Sequence, residues 1–205
     1  MIRRIILLED DPVSTLHRCQ TALRENQVIV FPTDTVYGLL AHHASQTGFN
    51  AILKLKNRSA DKPLSLLSAS DNAVTQSIKS LLKGDVAACD KFSTGLLTCV
   101  VEKKQLAPGS LPDIIDEIQP GTIGIRCPCH EPLQHLLKAC GGLCWATSAN
   151  ASGMPPPADE VEMRAALNKL RGKPEIVVLS HAPGSGRASS IAMISHEGNV
   201  QYTIR

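Results

Sequence analysis

The chain has 205 residues, 43% of them hydrophobic, 20% charged and 3% aromatic, with a formal net charge of +2. That composition excludes a disordered chain and supplies apolar material for one core, so residues 1–205 are expected to form a single domain. The longest apolar runs, such as Val28 to Phe31 and Ile176 to Leu179, fall far short of the roughly 20 residues a membrane span needs.

The opening Met-Ile-Arg-Arg-Ile-Ile-Leu-Leu is basic then apolar, but Glu9-Asp10-Asp11 cuts it before a signal-peptide core forms, so a cytoplasmic chain is expected. Asp11-Pro12 reads as a helix start, a capping carboxylate followed by proline in the first turn, with Val13, Leu16, Ala22 and Leu23 lining one face. Val28 to Phe31 reads as a buried strand ended by Pro32. Phe49, Ile52 and Leu53 mark a second helix running toward Lys56 and Arg58, and Leu64 to Leu67 is a strand. Ser70-Asp71 offers a cap for a helix through Leu82, and a shorter helix follows near Val86. Leu97 to Val101 and Thr122 to Cys127 are strands separated by a proline-containing loop. Glu131 to Cys140 is helical, Leu143 to Ala146 a buried strand, and Asp159 caps a helix through Leu170. Ile176 to Leu179, Ser190 to Ser195 and Val200 to Ile204 are strands, the last two joined by the turn-like His196-Glu197-Gly198-Asn199. The fold class is therefore α/β, a mixed parallel and antiparallel sheet with flanking helices.

Seven cysteines without a secretory signal read as thiols rather than a disulfide frame. Cys127, Cys129, Cys140 and Cys144, with His130 alongside, are spaced C-x-C and C-x₃-C, which is not the two-residue knuckle of structural zinc sites, and buried cysteine is the preferred reading. No metal ligand from the protein is expected. His17, His42, His43, His135, His181 and His196 have no metal-site spacing, and no G-x-S-x-G nucleophile elbow occurs. Basic residues are scattered, and one tryptophan, two tyrosines and three phenylalanines leave little for base stacking.

Four segments could carry chemistry. Pro32-Thr33-Asp34-Thr35-Val36-Tyr37-Gly38-Leu39 follows a buried strand, where α/β folds place ligands; it reads equally as a tight turn with Asp34 bonding its own backbone. Lys56-Asn57-Arg58, with Lys62-Pro63 beyond, sets two cations one residue apart. They do not share a helix face, yet converge on one anion if the helix ends between them; otherwise they are solvated surface charges. Thr147-Ser148-Ala149-Asn150-Ala151-Ser152-Gly153 leaves a strand as a compact donor set. Pro183-Gly184-Ser185-Gly186-Arg187-Ala188-Ser189-Ser190 is a flexible loop suited to wrapping phosphate, but it is not a Walker motif.

In this order the segments resemble the YrdC domain family, the threonylcarbamoyl-AMP synthases. The family pattern P-T-[DE]-T-V-Y-G-L, K-x-R, a V-R-x-P-x-H-P-like segment, S-A-N-x-S-G and a late serine-containing strand is met here by Pro32 to Leu39, Lys56-Asn57-Arg58, Gly124 to Pro132, Ser148 to Gly153 and Ser189-Ser190-Ile191. Any one of these is common; five in register are specific. The resemblance implies a twisted sheet with a concave positive cavity, and synthesis of threonylcarbamoyl-AMP from L-threonine, bicarbonate or CO₂ and ATP with release of pyrophosphate. That product would serve the N6-threonylcarbamoyl modification of adenosine 37 in tRNA, with the transferase machinery of that pathway, and tRNA itself, as partners. It implies Lys56 and Arg58 as catalytic residues and Thr33, Thr35, Arg126 and Ser189 as threonine contacts. Lys56, Arg58, Lys62, Thr122, Ser148, Asn150 and Arg205 would face the nucleotide, with Mg²⁺ brought by ATP. The chain departs from the pattern at Phe92 to Thr98, where the family carries W-P-G-P-L-T, at Leu67, where histidine is common, and at Ala188, where an acid is usual. The alternatives are an RNA-binding or ribosome-maturation protein without this chemistry, and a paralogue of the YciO type with another ligand.

Overall fold

Apolar segments at strand and helix periods along the chain build one ten-stranded sheet among the described residues of the computed structural model, which are 4–59, 62–182, 184–195, 197 and 199–203. The strands are β1 (Arg4–Leu7), β2 (Ile29–Phe31), β3 (Gly38–His42), β4 (Ser65–Ser68), β5 (Leu97–Glu102), β6 (Thr122–Arg126), β7 (Leu143–Ser148), β8 (Ile176–Leu179), β9 (Ser190–Ile194) and β10 (Val200–Thr203). The helices are α1 (Pro12–Arg24), α2 (Gln46–Lys56), α3 (Ala73–Leu81), α4 (Val86–Ser93), α5 (Ile114–Ile118), α6 (Glu131–Ala139) and α7 (Glu160–Leu167). The sheet order is β1-β8-β2-β3-β7-β4-β6-β5-β9-β10. Four pairs are parallel (β1 with β8, β8 with β2, β4 with β6, β5 with β9) and the others antiparallel, and β9 with β10 is the expected C-terminal hairpin.

Local chemistry sets the ends of the helices. Asp11 caps α1 by accepting the Ser14 N–H at 3.0 Å, with Pro12 in the first turn. Its buried stripe is Thr15, Cys19, Ala22 and Leu23. Val13, expected on that face, is 80% exposed, because at about 100° per residue it sits on the far side of the helix from Thr15. α2 starts at Ser45, whose hydroxyl accepts the Gly48 N–H at 2.8 Å, and stops at Asn57, which adopts the left-handed conformation (φ 52°). α3 is capped by Asn72 rather than Ser70 or Asp71. α7 ends three residues before Leu170. Strands β1 and β3 and helix α5 were not expected; β3 takes up the end of the segment read as a loop.

Strand alternation gives the sheet two faces. On one, Val30, Leu39, Trp145, Leu66, Ile125, Cys99 and Ala192 join the main core, against α2, α3 and α4. On the other, Ile176, Val178, Ile29, Phe31, Leu40 and Cys144 are covered by Cys19, Ala22 and Leu23 of α1 and Leu133, Leu136 and Leu137 of α6. That cover ends near β4. Beyond it the same face presents Ser65, Thr98, Thr122, Gly124 and Arg126, in register through the pairs Ser65 with Gly124 and Gly124 with Val100. No helix among the described residues is long and apolar enough to cross a membrane.

Candidate functional site

The uncovered part of that face is the floor of a cavity of about 480 Å³. Side chains two apart on successive strands make the floor: Ser65 and Leu67 on β4, Thr98 and Val100 on β5, Thr122, Gly124 and Arg126 on β6, Ala146 and Ser148 on β7. Gly124 keeps it open, since a Cβ there would stand 2.7 Å from Ser65 Oγ. The walls are the 33–38 turn, Lys56 and Arg58 with residues 62–64, the turn after β7 and residues 188–191. Thr33, Thr35, Lys56, Arg58, Lys62, Thr122, Arg126, Ser148, Asn150 and Ser189 all line it. Arg205 lies outside the described residues, as do Pro183 of the fourth segment, His196 and Gly198 of the last turn and Ile204 of the expected strand.

Helix α2 does end between its two cations. Asn57 turns the chain at the helix terminus, so Lys56 and Arg58 reach the same cavity from different directions. Lys56 is only 2% exposed, and its ammonium donates to Ser148 O at 2.5 Å, Asn150 O at 2.8 Å and Asn150 Oδ1 at 3.0 Å. Burial first, and then the charge of Arg58, push its pKa down to about 7; three acceptors for its three hydrogens work the other way. Arg58 is oriented by the Lys62 and Pro63 carbonyls, which accept from its Nε at 3.1 Å and Nη2 at 2.9 Å.

The Ser148-Ala149-Asn150 turn is knitted to α2. Asn150 Oδ1 accepts from Ser148 Oγ at 2.5 Å as well as from Lys56, its amide donates to Met154 O, and the Ser152 N–H donates to Lys56 O at 3.0 Å. Thr33 Oγ1 donates to Val36 O at 2.8 Å and accepts the Thr35 N–H at 3.0 Å. Its 3.0 Å contact with Thr35 Oγ1 therefore takes the Thr35 hydrogen, which leaves the Thr35 oxygen as an acceptor at the cavity wall.

The tight-turn reading, with Asp34 bonding its own backbone, does not hold. Its carboxylate bonds no group of its own turn; it accepts from Arg126 Nη2 at 2.5 Å and from the Cys129 N–H at 3.1 Å. Arg126 is 7% exposed and also donates Nε to Gly95 O at 2.8 Å. Burial lowers the guanidinium's pKa, while Asp34 opposes that shift. The Nε–Nη2 edge of Arg126 is thus occupied, and Nη1 with the remaining Nη2 hydrogen is the edge left for a ligand. Ser189, just ahead of β9, bonds Thr98 of β5 (Oγ to Oγ1, 2.8 Å).

The described residues of the fourth segment form a strap whose end, Ala188 and Ser189, lines the cavity. Six strands lie between β8 and β9, so the chain joining them must cross the sheet, and its described residues 184–189 lie on that path. They dock on the 33–35 turn through Ser185 N to Asp34 O (2.9 Å) and Gly186 N to Thr35 O (3.0 Å). A Cβ on Gly184 would stand 2.4 Å from Thr35 O. The pairing of Asp34 with Arg126, the role of Gly95 and the strap contacts were missed in the sequence, where Asp34 and Arg126 stand 92 positions apart with nothing local to join them. Cys127 and Cys144 are buried, as expected, and Cys129 is exposed.

An α/β chain whose mixed sheet holds a cation-rich cavity on one open face is the class of protein these features define. A family model for the Sua5/YciO/YrdC domain, described as "Telomere recombination", matches residues 21–205, and the chain belongs to that family. A "Putative threonylcarbamoyl-AMP synthase" of Mycobacterium tuberculosis is 32% identical over 169 residues, covering 82% of this chain and 73% of the relative. A "Threonylcarbamoyl-AMP synthase" of Yersinia pestis is 31% identical over 173 residues, covering 83% and 86%. The crystal structure of Pyrococcus abyssi Sua5 complexed with L-threonine superposes with a TM-score of 0.71 at 25% identity. It covers 92% of this chain, which spans 54% of the archaeal one. Escherichia coli YciO, at 18% identity and a TM-score of 0.69, shares the fold.

Proposed function

We propose that the chain makes threonylcarbamoyl-AMP from L-threonine, bicarbonate (or CO₂) and ATP, releasing pyrophosphate, and that residues 1–205 act as one cytoplasmic domain. The observation that carries this reading is the lining: Lys56, Arg58, Lys62 and Arg126 face one cavity with the hydroxyls of Thr35, Ser148 and Ser189, and its described lining includes no carboxylate. Such a wall suits a polyphosphate and an amino-acid carboxylate together. Mg²⁺ fits there as a passenger on the triphosphate.

The threonine amine takes up CO₂ to give a carbamate and a proton. A carbamate oxygen then attacks the α-phosphorus as the bond to pyrophosphate breaks. No protein nucleophile is needed; the enzyme holds the reactants in line and neutralises charge on the departing pyrophosphate. Arg58 and Lys62 are the cations for that charge. Lys56 holds the Ser148–Asn150 turn and adds its field, and Arg126 takes the threonine carboxylate on its remaining edge. Thr33, Thr35 and Ser189 complete the threonine end, with Thr122, Ser148 and Asn150 at the nucleotide. The resemblance assigns the product to adenosine 37 of tRNA through a separate transfer machinery. The test is to mix the protein with ATP, L-threonine, bicarbonate and Mg²⁺ and follow pyrophosphate. Threonine-dependent release is expected, lost in Arg58→Ala; no release, with steeply salt-dependent tRNA binding, would replace this reading with the RNA-binding one.

A further inference from the structure

We infer that Asp34 is the positioning residue for Arg126, fixing which edge of that guanidinium an amino-acid carboxylate can use; this rests on the threonine reading of the site. Asp34 lies outside the cavity lining and bonds both Arg126 and the backbone N–H of Cys129, three residues further on. One oxygen takes Arg126 Nη2 and the other takes the Cys129 N–H just ahead of α6. The carbonyl of Gly95 completes the grip by accepting from Nε. Three chain segments, the 33–38 turn, the 95 turn and the end of β6, thereby hold one planar group with its outer edge toward the ligand.

The packing leaves no slack. Gly95 has φ +78°, and a Cβ there would stand 2.1 Å from Asp34 Oδ2 and 2.7 Å from the Cys129 nitrogen. Glycine at 95 is therefore what lets the carboxylate reach both donors. The strap bears on the same residue, since the Ser185 N–H donates to Asp34 O. An asparagine at 34 offers one acceptor to two donors, so it loses either Arg126 or the α6 start. Alanine loses both, and Arg126 is then free to swing or to present the wrong edge.

The experiment compares wild type, Asp34→Asn, Asp34→Ala and Asp34→Glu. L-Threonine affinity without ATP is measured by calorimetry, KM for threonine and for ATP by pyrophosphate release, and the Arg126 Nε–H resonance by ¹⁵N NMR. Expected for Asp34→Ala is a loss of threonine affinity of about tenfold or more, as for a displaced orienting group, with KM for ATP within about twofold. The Arg126 Nε–H is expected to shift and exchange faster even without ligand. Asp34→Glu, which keeps both oxygens, is expected to recover part of the affinity. Unchanged threonine affinity in a folded Asp34→Ala protein, or equal rises in both KM values, would overturn the assignment. If wild type binds no threonine and releases no pyrophosphate, the reading of the function has failed instead, while the Arg126 resonance still reports whether Asp34 positions it.

Discussion

Two halves of one sheet face differ in what they carry. Under α1 and α6 the inward positions of β8, β2 and β3 are Ile176, Val178, Ile29, Phe31 and Leu40. A few strands on, the same positions of β4, β6 and β5 are Ser65, Gly124, Thr122, Arg126 and Thr98. Backbone geometry and alternation are the same in both. A helix pair covers the first half, and the second lines the cavity. Burial against helices rewards bulky branched side chains, whereas an open concave face rewards small hydroxyls and cations that a polar ligand can satisfy. The comparison teaches that the site is a stretch of sheet left unroofed, with its side chains altered to suit.

The largest effect belongs to the covered half. Phe31→Ala, at a fully buried position, is expected to cost about 3–5 kcal/mol in urea unfolding. A cost below about 1 kcal/mol would erase the distinction between the halves. Next comes the buried cation. Lys56 is held near pH 7 in the folded chain against 10.5 ordinarily, so between those values the unfolded chain binds the extra proton. Stability is therefore expected to rise with pH across that window, by up to about 1.4 kcal/mol per pH unit from this group. Lys56→Met should flatten that slope when unfolding is measured at pH 7.5 and 9.5, and an unchanged slope would show the ammonium to be ordinary.

Smaller still in stability, but not in function, is Gly124→Ala. Its Cβ meets a serine hydroxyl able to rotate away, so unfolding should move by less than about 1 kcal/mol while pyrophosphate release falls severalfold. Thr98→Val, which removes the hydroxyl bonded to Ser189, is expected to cost a comparable amount in unfolding, about 1 kcal/mol. Equal effects of Gly124→Ala on folding and turnover would mean that the open half is core after all.

How much of this was legible in the sequence follows from range. The α1 start at Asp11-Pro12, the buried strand ending at Pro32 and the C-terminal hairpin are local patterns, and each formed where its residues place it. Within Ser70-Asp71-Asn72 any residue can cap, and local chemistry cannot choose; burial of Val74 and Ile78 selected Asn72. Strand β1 is four residues long at a sheet edge, and β3, Gly-Leu-Leu-Ala-His, lacks β-branched residues, so neither announces itself. The cavity residues were legible because their motifs are contiguous. That Arg126 leans on Asp34, and that Lys56 spends its donors on the Ser148–Asn150 turn, arise only when distant strands meet.

The most direct test is a backbone NMR titration with ATP, Mg²⁺ and L-threonine. Shift changes are expected at Thr33 to Thr35, Arg58, Thr98, Gly124, Arg126, Ser148 to Asn150 and Ser189, while Cys19, Leu23, Leu133 and Leu137 stay still. Changes centred on α1 and α6, with the amides of β5 and β6 silent, would contradict the claim that the unroofed half is the site.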